Sequence, residues 1–417
     1  MKIFSKIIIL IIFINLFLNC TNRERLNPID PQNSETGGRL QGLSIYSEFD
    51  RAVLQWQQLP LKNIQGYRVY RKQDSDVVFT HINLASPDSN EYIDYGLIYD
   101  KKYDYFVTVL GVDFETPGSD TVSVIPGPTI IWATDVYNRR ILKISHDGAH
   151  EIKQIAVDGY PWELAIDHDS GVIWYTDVLL NRVCTIDSQT SKIVASISSG
   201  RPIDITLDEK NDRVWIIDET QGKIIVFNRQ GEKIGEISGF QQPMSVDHYS
   251  EDGSCWVVDS KAGTITKISK SLELVFEIKG LFSPSDISIN QYNGDCWVAD
   301  SSRILNFDSV GKTKLIINRG VNFPTYLAVD SELGKCWVLD LGYFAYESCL
   351  ICFDDRGEKL IEIPGFSWPE NLKVNPYDHS CIVANSGAGQ ILKIALNGTI
   401  IGQVADYDYT RGLIIEF

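Results

Sequence analysis

Tryptophan recurs along this chain at a nearly fixed interval, at positions 132, 174, 215, 256, 297 and 337, spaced 42, 41, 41, 41 and 40 residues apart. Each opens a segment of one form: Trp132-Ala-Thr-Asp, Trp174-Tyr-Thr-Asp, Trp215-Ile-Ile-Asp, Trp256-Val-Val-Asp, Trp297-Val-Ala-Asp and Trp337-Val-Leu-Asp. Ile382-Val-Ala-Asn repeats the form with isoleucine first. Upstream of most lies a segment that begins with proline and ends with an acid or amide, as in Pro161-Trp-Glu-Leu-Ala-Ile-Asp, Pro202-Ile-Asp-Ile-Thr-Leu-Asp and Pro324-Thr-Tyr-Leu-Ala-Val-Asp. Downstream comes a third, such as Arg140-Ile-Leu-Lys-Ile or Lys223-Ile-Ile-Val-Phe, and glycine-marked turns such as Arg229-Gln-Gly-Glu lead to a fourth. Self-similarity at a fixed period marks a repeat fold, and four short strands in about 40 residues is the blade period of a β-propeller.

The phase of the repeat adds a constraint. The array begins at Thr129 inside a tryptophan segment and finishes with Arg411-Gly-Leu-Ile-Ile-Glu-Phe, a proline-type strand with no tryptophan segment after it. The last strand is therefore expected to supply the missing strand of the first blade, closing a seven-bladed β-propeller of four-stranded blades over residues 129–417 and leaving no open edge at the joint. The Trp-x-x-Asp and Pro-x-x-x-x-x-Asp pattern resembles the NHL and YVTN families of propellers across all of this region. That resemblance implies the fold and not one activity, and NHL rings are often six-bladed, so seven departs from the commonest case.

Residues 38–128 read differently. Short alternating segments, Ala52-Val-Leu-Gln-Trp-Gln, Gly66-Tyr-Arg-Val-Tyr-Arg and Tyr103-Asp-Tyr-Phe-Val-Thr-Val, are separated by turn-rich pieces such as Ser86-Pro-Asp-Ser-Asn, which argues an immunoglobulin-like β-sandwich. Trp56, Tyr67-Arg-Val-Tyr-Arg and Tyr103-x-Tyr-x-Val resemble the second, third and sixth strands of a fibronectin type III domain. The whole chain is thus expected to be all-β. Residues 21–37 are polar and punctuated by Pro and Gly without a period, the composition of a tether.

The first twenty residues carry a targeting pattern: Lys2 and Lys6, then an apolar run from Ile7 to Leu18 broken only by Asn15, ending at Cys20. A run of about 12 is too short to span a bilayer and fits a signal-peptide core. Phe17-Leu-Asn-Cys20 resembles a bacterial lipobox, although Asn19 replaces the usual small residue. The resemblance implies a signal peptide over 1–19, lipidation of Cys20, a tether over 20–37 and membrane attachment in the cell envelope, at the outer membrane.

Eight cysteines in an exported chain would suggest disulfides. Cys255, Cys296, Cys336 and Cys381, however, hold one repeat position, and equivalent positions on packed sheets lie about 10 Å apart, too far to bridge. Cys349-Leu-Ile-Cys352 looks like half of a zinc or redox motif, but residues three apart on a strand face opposite ways. These thiols read as small buried apolar groups. The formal charge of −17 repels phosphate backbones and excludes nucleic acid as a partner.

A special site should break the repeat. The acids that end each tryptophan strand recur in nearly every unit and read as turn supports. The proline-type strands differ: counting back from the final apolar residue of each gives Glu163, Asp204, Pro243, Asp286, Tyr326, Asn371 and Gly412, which in a ring converge on one mouth of the channel. Glu163, Asp204, Asp286 and Asn371 form an oxygen-rich set of the kind Ca²⁺ or another divalent cation prefers. Lactonase-type propellers of the gluconolactonase family resemble this, with a channel metal held by acids and amides. Just before these strands stand Tyr160, Phe240, Phe282, Phe323, Trp368 and Tyr409, with Arg201 in the second unit; such aromatics rim a mouth and stack on a sugar or peptide, or else plug gaps between blades. No histidine falls on an innermost strand, and no Gly-x-Ser-x-Gly elbow or phosphate loop occurs. The leading expectation is a non-enzymatic binding protein that recognises a protein or glycan partner in the envelope. The alternative is a metal-dependent hydrolase or lyase working in the channel.

Overall fold

The computed structural model describes residues 26–60, 63–342 and 348–417. The leader and Cys20 lie outside the described residues. The chain divides into two compact units, Met1–Pro126 and Gly127–Phe417. The junction falls two residues before the 128/129 boundary read from the repeat. Among the described residues no helix is long and apolar enough to cross a membrane.

In the first unit, strands Ser44–Glu48, Arg51–Gln55 and Glu91–Asp94 form one antiparallel sheet. Thr80–Ala85, Ile64–Gln73, Tyr103–Gly111 and Val122–Val124 form a second. Alternation drives the packing: Tyr103, Tyr105, Val107 and Val109 are buried on one face of their strand. Trp56 is buried against Tyr67, ring centroids 5.2 Å apart, and its indole N–H donates to the Ser89 carbonyl at 3.1 Å. One expectation needs correction here. Residues 26–37 are not all free tether, because Ile29 is buried in this same core, as is Leu40 just beyond them. The Asn33 side chain ties the turn that delivers them, accepting from the backbone N–H groups of Glu35 and Thr36.

Among the described residues the second unit contains seven four-stranded antiparallel sheets. Six are built from consecutive strands; Pro161–Asp167, Val172–Asp177, Arg182–Asp187 and Lys192–Ser198 make the first of these. The seventh is composite. Thr410–Glu416 pairs antiparallel with Ile130–Asp135, with Leu413 opposite Ala133 and Ile415 opposite Ile131, as the phase of the repeat requires. The proline-type strands contact one another in sequence, Pro161–Asp167 against Pro202–Asp208, then Pro243–Tyr249, Pro284–Ile289, Pro324–Asp330, Pro369–Val374 and Thr410–Glu416, which returns to Pro161–Asp167. The unit is a closed ring of sheets with these strands innermost.

The tryptophan strands are covered on both faces by neighbouring sheets, so they read as continuous apolar runs; Ile130–Asp135 and Ser254–Asp259 are buried at every position. Trp132, Trp174, Trp215, Trp256 and Trp337 rank among the largest fully buried side chains. The acid ending each such strand folds back on the loop that enters the innermost strand. Asp177 accepts from the Tyr160 N–H at 3.0 Å, Asp300 from Phe282 and Ser283 at 2.8 Å, and Asp340 from Phe323 at 2.8 Å. Asp135 does the same for Asp408 at 2.9 Å. Gly159 and Gly200 make room for two of these carboxylates: a Cβ added at either would lie 1.9 Å from an oxygen of Asp177 or Asp218.

Lysines on the third strands bind sheet to sheet. Lys143 donates to the Ser188 carbonyl at 3.2 Å, Lys267 to Ser309 at 2.8 Å and Lys393 to His146 at 2.7 Å. Lys267 and Lys393 are held from a second side by Asp252 at 2.9 Å and Asp378 at 2.6 Å, and hydrogen bonds from charged donors of this kind are worth more than neutral ones. The seven cysteines of the described residues are free and buried. Burial pushes the Cys349 and Cys352 thiols up to about 12, which removes them as nucleophiles.

Candidate functional site

Innermost strands present alternate side chains to the channel. Pairing with the adjacent strand sets their register: Asp204 opposes Ile217, Asp286 Ala299, Tyr326 Leu339 and Asn371 Ala384, in each case two residues after the opening proline. In the sheet that begins with Pro243–Tyr249 that place belongs to Ser245, opposite Val258, while Pro243 opens the strand opposite Asp259. The sequence count lands two residues early there because His248, which against expectation does lie on this innermost strand, stands where other strands have their last apolar residue. A second channel layer follows two residues on and brings in Thr206, Asp247, Ser288 and Lys373.

A cavity of about 250 Å³ is lined by Glu163, Asp204, Asp286, Tyr326 and Asn371 together with Ser245, Lys373 and Arg411. Five of the eight expected residues are thus gathered in one place. Tyr160, Arg201 and Trp368 do not line it; they sit one residue before the innermost strands, at the mouth. Sequence reasoning missed Arg411 and Lys373. Period-two spacing would have found Lys373, two residues beyond Asn371.

The carboxylates are engaged from sheet to sheet. Asp204 accepts from the Val246 N–H at 2.8 Å, and Asp286 from the Leu327 N–H at 2.8 Å and the Ser245 hydroxyl at 2.7 Å. Asp247 accepts from the Ile289 N–H at 2.7 Å. The N–H donors lie on the innermost strand of the next sheet and the Ser245 hydroxyl on that of the preceding one, so these acids latch neighbouring sheets together. Glu163 accepts from Asn371 Nδ2 at 3.0 Å and has Arg411 Nε at 3.2 Å. Arg411 Nη1 donates to Glu370 at 2.7 Å and to the Tyr326 hydroxyl at 3.2 Å, and that hydroxyl donates to Glu370 at 2.9 Å.

Burial dominates the electrostatics. It pushes the Glu163 carboxyl up to about 8, against the pull of Arg411 and with a further push from Asp204. Asp286 rises to about 7, again through burial, and Asp204 moves the same way. The Lys373 charge opposes all three shifts. Among the described residues no group of three or more His, Cys, Asp or Glu side chains is placed to hold a metal ion. The expected cation set of Glu163, Asp204, Asp286 and Asn371 lines one cavity but is not assembled as a coordination sphere. Its oxygens are turned to N–H and O–H donors instead.

At the mouth, Tyr137 lies 5.8 Å from Tyr160 and 5.1 Å from Tyr409, and Tyr409 lies 6.0 Å from Trp162, ring centroid to ring centroid. The Arg411 guanidinium covers Trp162 at 4.3 Å. Trp368, Tyr137 and Phe323 are 56%, 53% and 49% exposed. Phe282 is 72% exposed beneath the Arg303 guanidinium. Phe240 is different from the rest: it is half-buried against the core around Trp215 and fills a gap between sheets. Gln242, Ser283 and Arg201 stand where Phe323 and Trp368 stand in their own sheets, so the aromatic arc covers one side of the mouth only.

No known family profile matches the chain, and no curated protein matches it. Solved structures do. A functionally unknown protein from Desulfotomaculum acetoxidans superposes with a TM-score of 0.60 at 15% identity, covering 69% of this chain and 98% of its own. A Lactobacillus plantarum protein gives 0.58 at 13%, and a candidate 6-phosphogluconolactonase from Bacteroides uniformis gives 0.58 at 9%, each covering 69% of this chain and 99% of its own.

The ring is a β-propeller.

At these identities the likeness carries the fold alone. Within the propeller the channel acids lie in the low-dielectric interior, while the exposed aromatics stand outside it at one mouth.

Proposed function

We propose that this chain is an exported, lipid-anchored binding protein of the bacterial envelope, in which a seven-bladed propeller of NHL-like repeats follows a fibronectin type III-like sandwich and presents one channel mouth to a glycan or protein partner. The observation that carries the reading is the one-sided arc of exposed aromatics, Tyr137, Phe323 and Trp368 with Tyr160 and Tyr409, above a channel whose acids are engaged in holding sheets together. Large rigid rings at a concave mouth are the usual anchors of recognition. The repeat pattern supports the NHL-like reading, the three- and four-stranded sheets around Trp56 support the sandwich, and the run ending at Cys20 supports export and lipidation.

A metal-dependent hydrolase or lyase is the poorer reading, because its ligands would have to give up sheet-to-sheet hydrogen bonds to reach a common ion. Two measurements test the proposal. Purified protein equilibrated with Ca²⁺ and dialysed is expected to retain no stoichiometric metal, and retention lost in Glu163→Gln would favour the hydrolase. Cys20→Ser is expected to move the protein from the membrane fraction to the soluble fraction; unchanged membrane attachment would remove the lipid anchor.

A further inference from the structure

We infer that the mouth of the propeller binds a neutral oligosaccharide, whose rings stack on the faces of Trp368 and Tyr137 while Glu370 and Arg411 read its hydroxyl groups. This rests on the binding reading above and names the ligand class. Three observations lead to it.

The first is the mix of surfaces. A sugar ring has an apolar C–H face and a polar edge, so its site needs bare aromatic faces beside planar polar groups. Trp368 and Tyr137 are more than half exposed. Trp368 opens the strand loop immediately before Pro369 and Glu370, and Tyr409 stands two residues before Arg411. Glu370 and Arg411 are themselves joined at 2.7 Å and braced by Tyr326. Arg411 Nη1 makes both hydrogen bonds of this pair, and its Nε lies 3.2 Å from Glu163. A carboxylate and a guanidinium held side by side offer an acceptor and a donor at the spacing of neighbouring hydroxyls.

The second is backbone conformation. Trp368 and Tyr409 adopt φ of 43° and 63°, a left-handed region that costs bulky residues free energy. Tyr160, Arg201 and Phe323 occupy the same place without it. The two rings that flank the Glu370–Arg411 pair are therefore the two held in strained backbone.

The third is charge. Glu370 balances Arg411, and the chain as a whole carries −17. A polyanionic glycan or an acidic peptide would be repelled. A neutral saccharide loses nothing to that field.

The test is titration of the full-length protein, in detergent solution, with neutral β-glucan, chitin and mannan oligomers, a uronate oligomer and a peptide library, read by calorimetry and tryptophan fluorescence. A neutral oligomer is expected to saturate and shift the fluorescence. Trp368→Ala and Tyr137→Ala should each weaken it about tenfold, the scale of one lost stacking partner, at unchanged melting temperature. Glu370→Gln should weaken it as well. Preference for the uronate oligomer, or saccharide binding that is indifferent to both aromatic variants, overturns the inference. Peptide binding abolished by Trp368→Ala overturns it too but leaves the binding reading standing. Silence from every probe defeats both.

Discussion

Glu163 and Asp286 sit on facing walls of the channel, each pushed upward by burial, to about 8 and about 7 from ordinary values of 4.5 and 3.8. An acid whose folded pKa exceeds its unfolded value keeps its proton in the folded state over a window where the unfolded chain has already lost it. Its stabilising effect is complete below the unfolded value and is lost as pH rises through the folded one. Melting temperature is therefore expected to fall between pH 5 and pH 8, and Glu163→Gln combined with Asp286→Asn should flatten that slope in a calorimetric pH series. A slope that steepens in the double variant would refute the assignment. Trp215 makes the plainer residue-scale case. It is fully buried between sheets, and Trp215→Ala should cost about 3–5 kcal/mol in denaturant unfolding, the usual penalty for emptying a large core site. Residues like Trp215 were legible because a 41-residue rhythm repeats them. Lys143, Lys267 and Lys393 were not, since a lysine on a strand looks solvated until the facing carbonyl of the next sheet is known. Ser245 was missed for a related reason: His248 hides the apolar landmark that fixes its neighbours.

The strand Thr410–Glu416 joins the far end of the chain to Ile130–Asp135, the first strand of the second unit. Glu416 accepts from the Trp132 indole N–H at 2.8 Å and from the Ser188 hydroxyl at 2.6 Å, so it holds both the sheet it completes and the sheet beside it. His168 adds a contact from its Nε2 to the Ile415 carbonyl at 3.1 Å. Removing the carboxylate leaves a buried indole donor without its partner, and Glu416→Ala should cost about 1–3 kcal/mol. The check is equilibrium unfolding beside a control such as Glu358→Ala, whose exposed side chain should change stability by less than about 0.5 kcal/mol. Strand membership and the closing pair followed from the phase of the sequence repeat. The burial of Ile29 did not, because a single apolar residue among prolines and amides carries no periodic signal.

For the whole molecule the repeat fixes more than strand positions. A 42-41-41-41-40 rhythm with one displaced strand admits a ring and disfavours an open solenoid, since only closure gives the sheet of Ile130–Asp135 its fourth strand. The proposed binding mouth was less legible, because it is built from departures from the repeat and a single sequence gives no scale for which departures matter. Trp368 and Phe240 look alike in sequence, yet one faces solvent and the other fills the core. Deleting residues 410–417 tests the ring as a unit. Limited proteolysis should then cut within or beside Ile130–Asp135, which in the intact protein is buried along its whole length, and intact resistance there would argue against closure.

Closure by Thr410–Glu416 also sets an order in time. These seven residues leave the ribosome after every other strand of the propeller. Until they arrive, the sheet of Ile130–Asp135 has three of its four strands, and a segment that ends fully buried has one hydrogen-bonding edge unpaired. A chain cut short before Thr410 therefore cannot close the ring, and its open edge is expected to make it a better protease substrate than a chain that carries the closing strand.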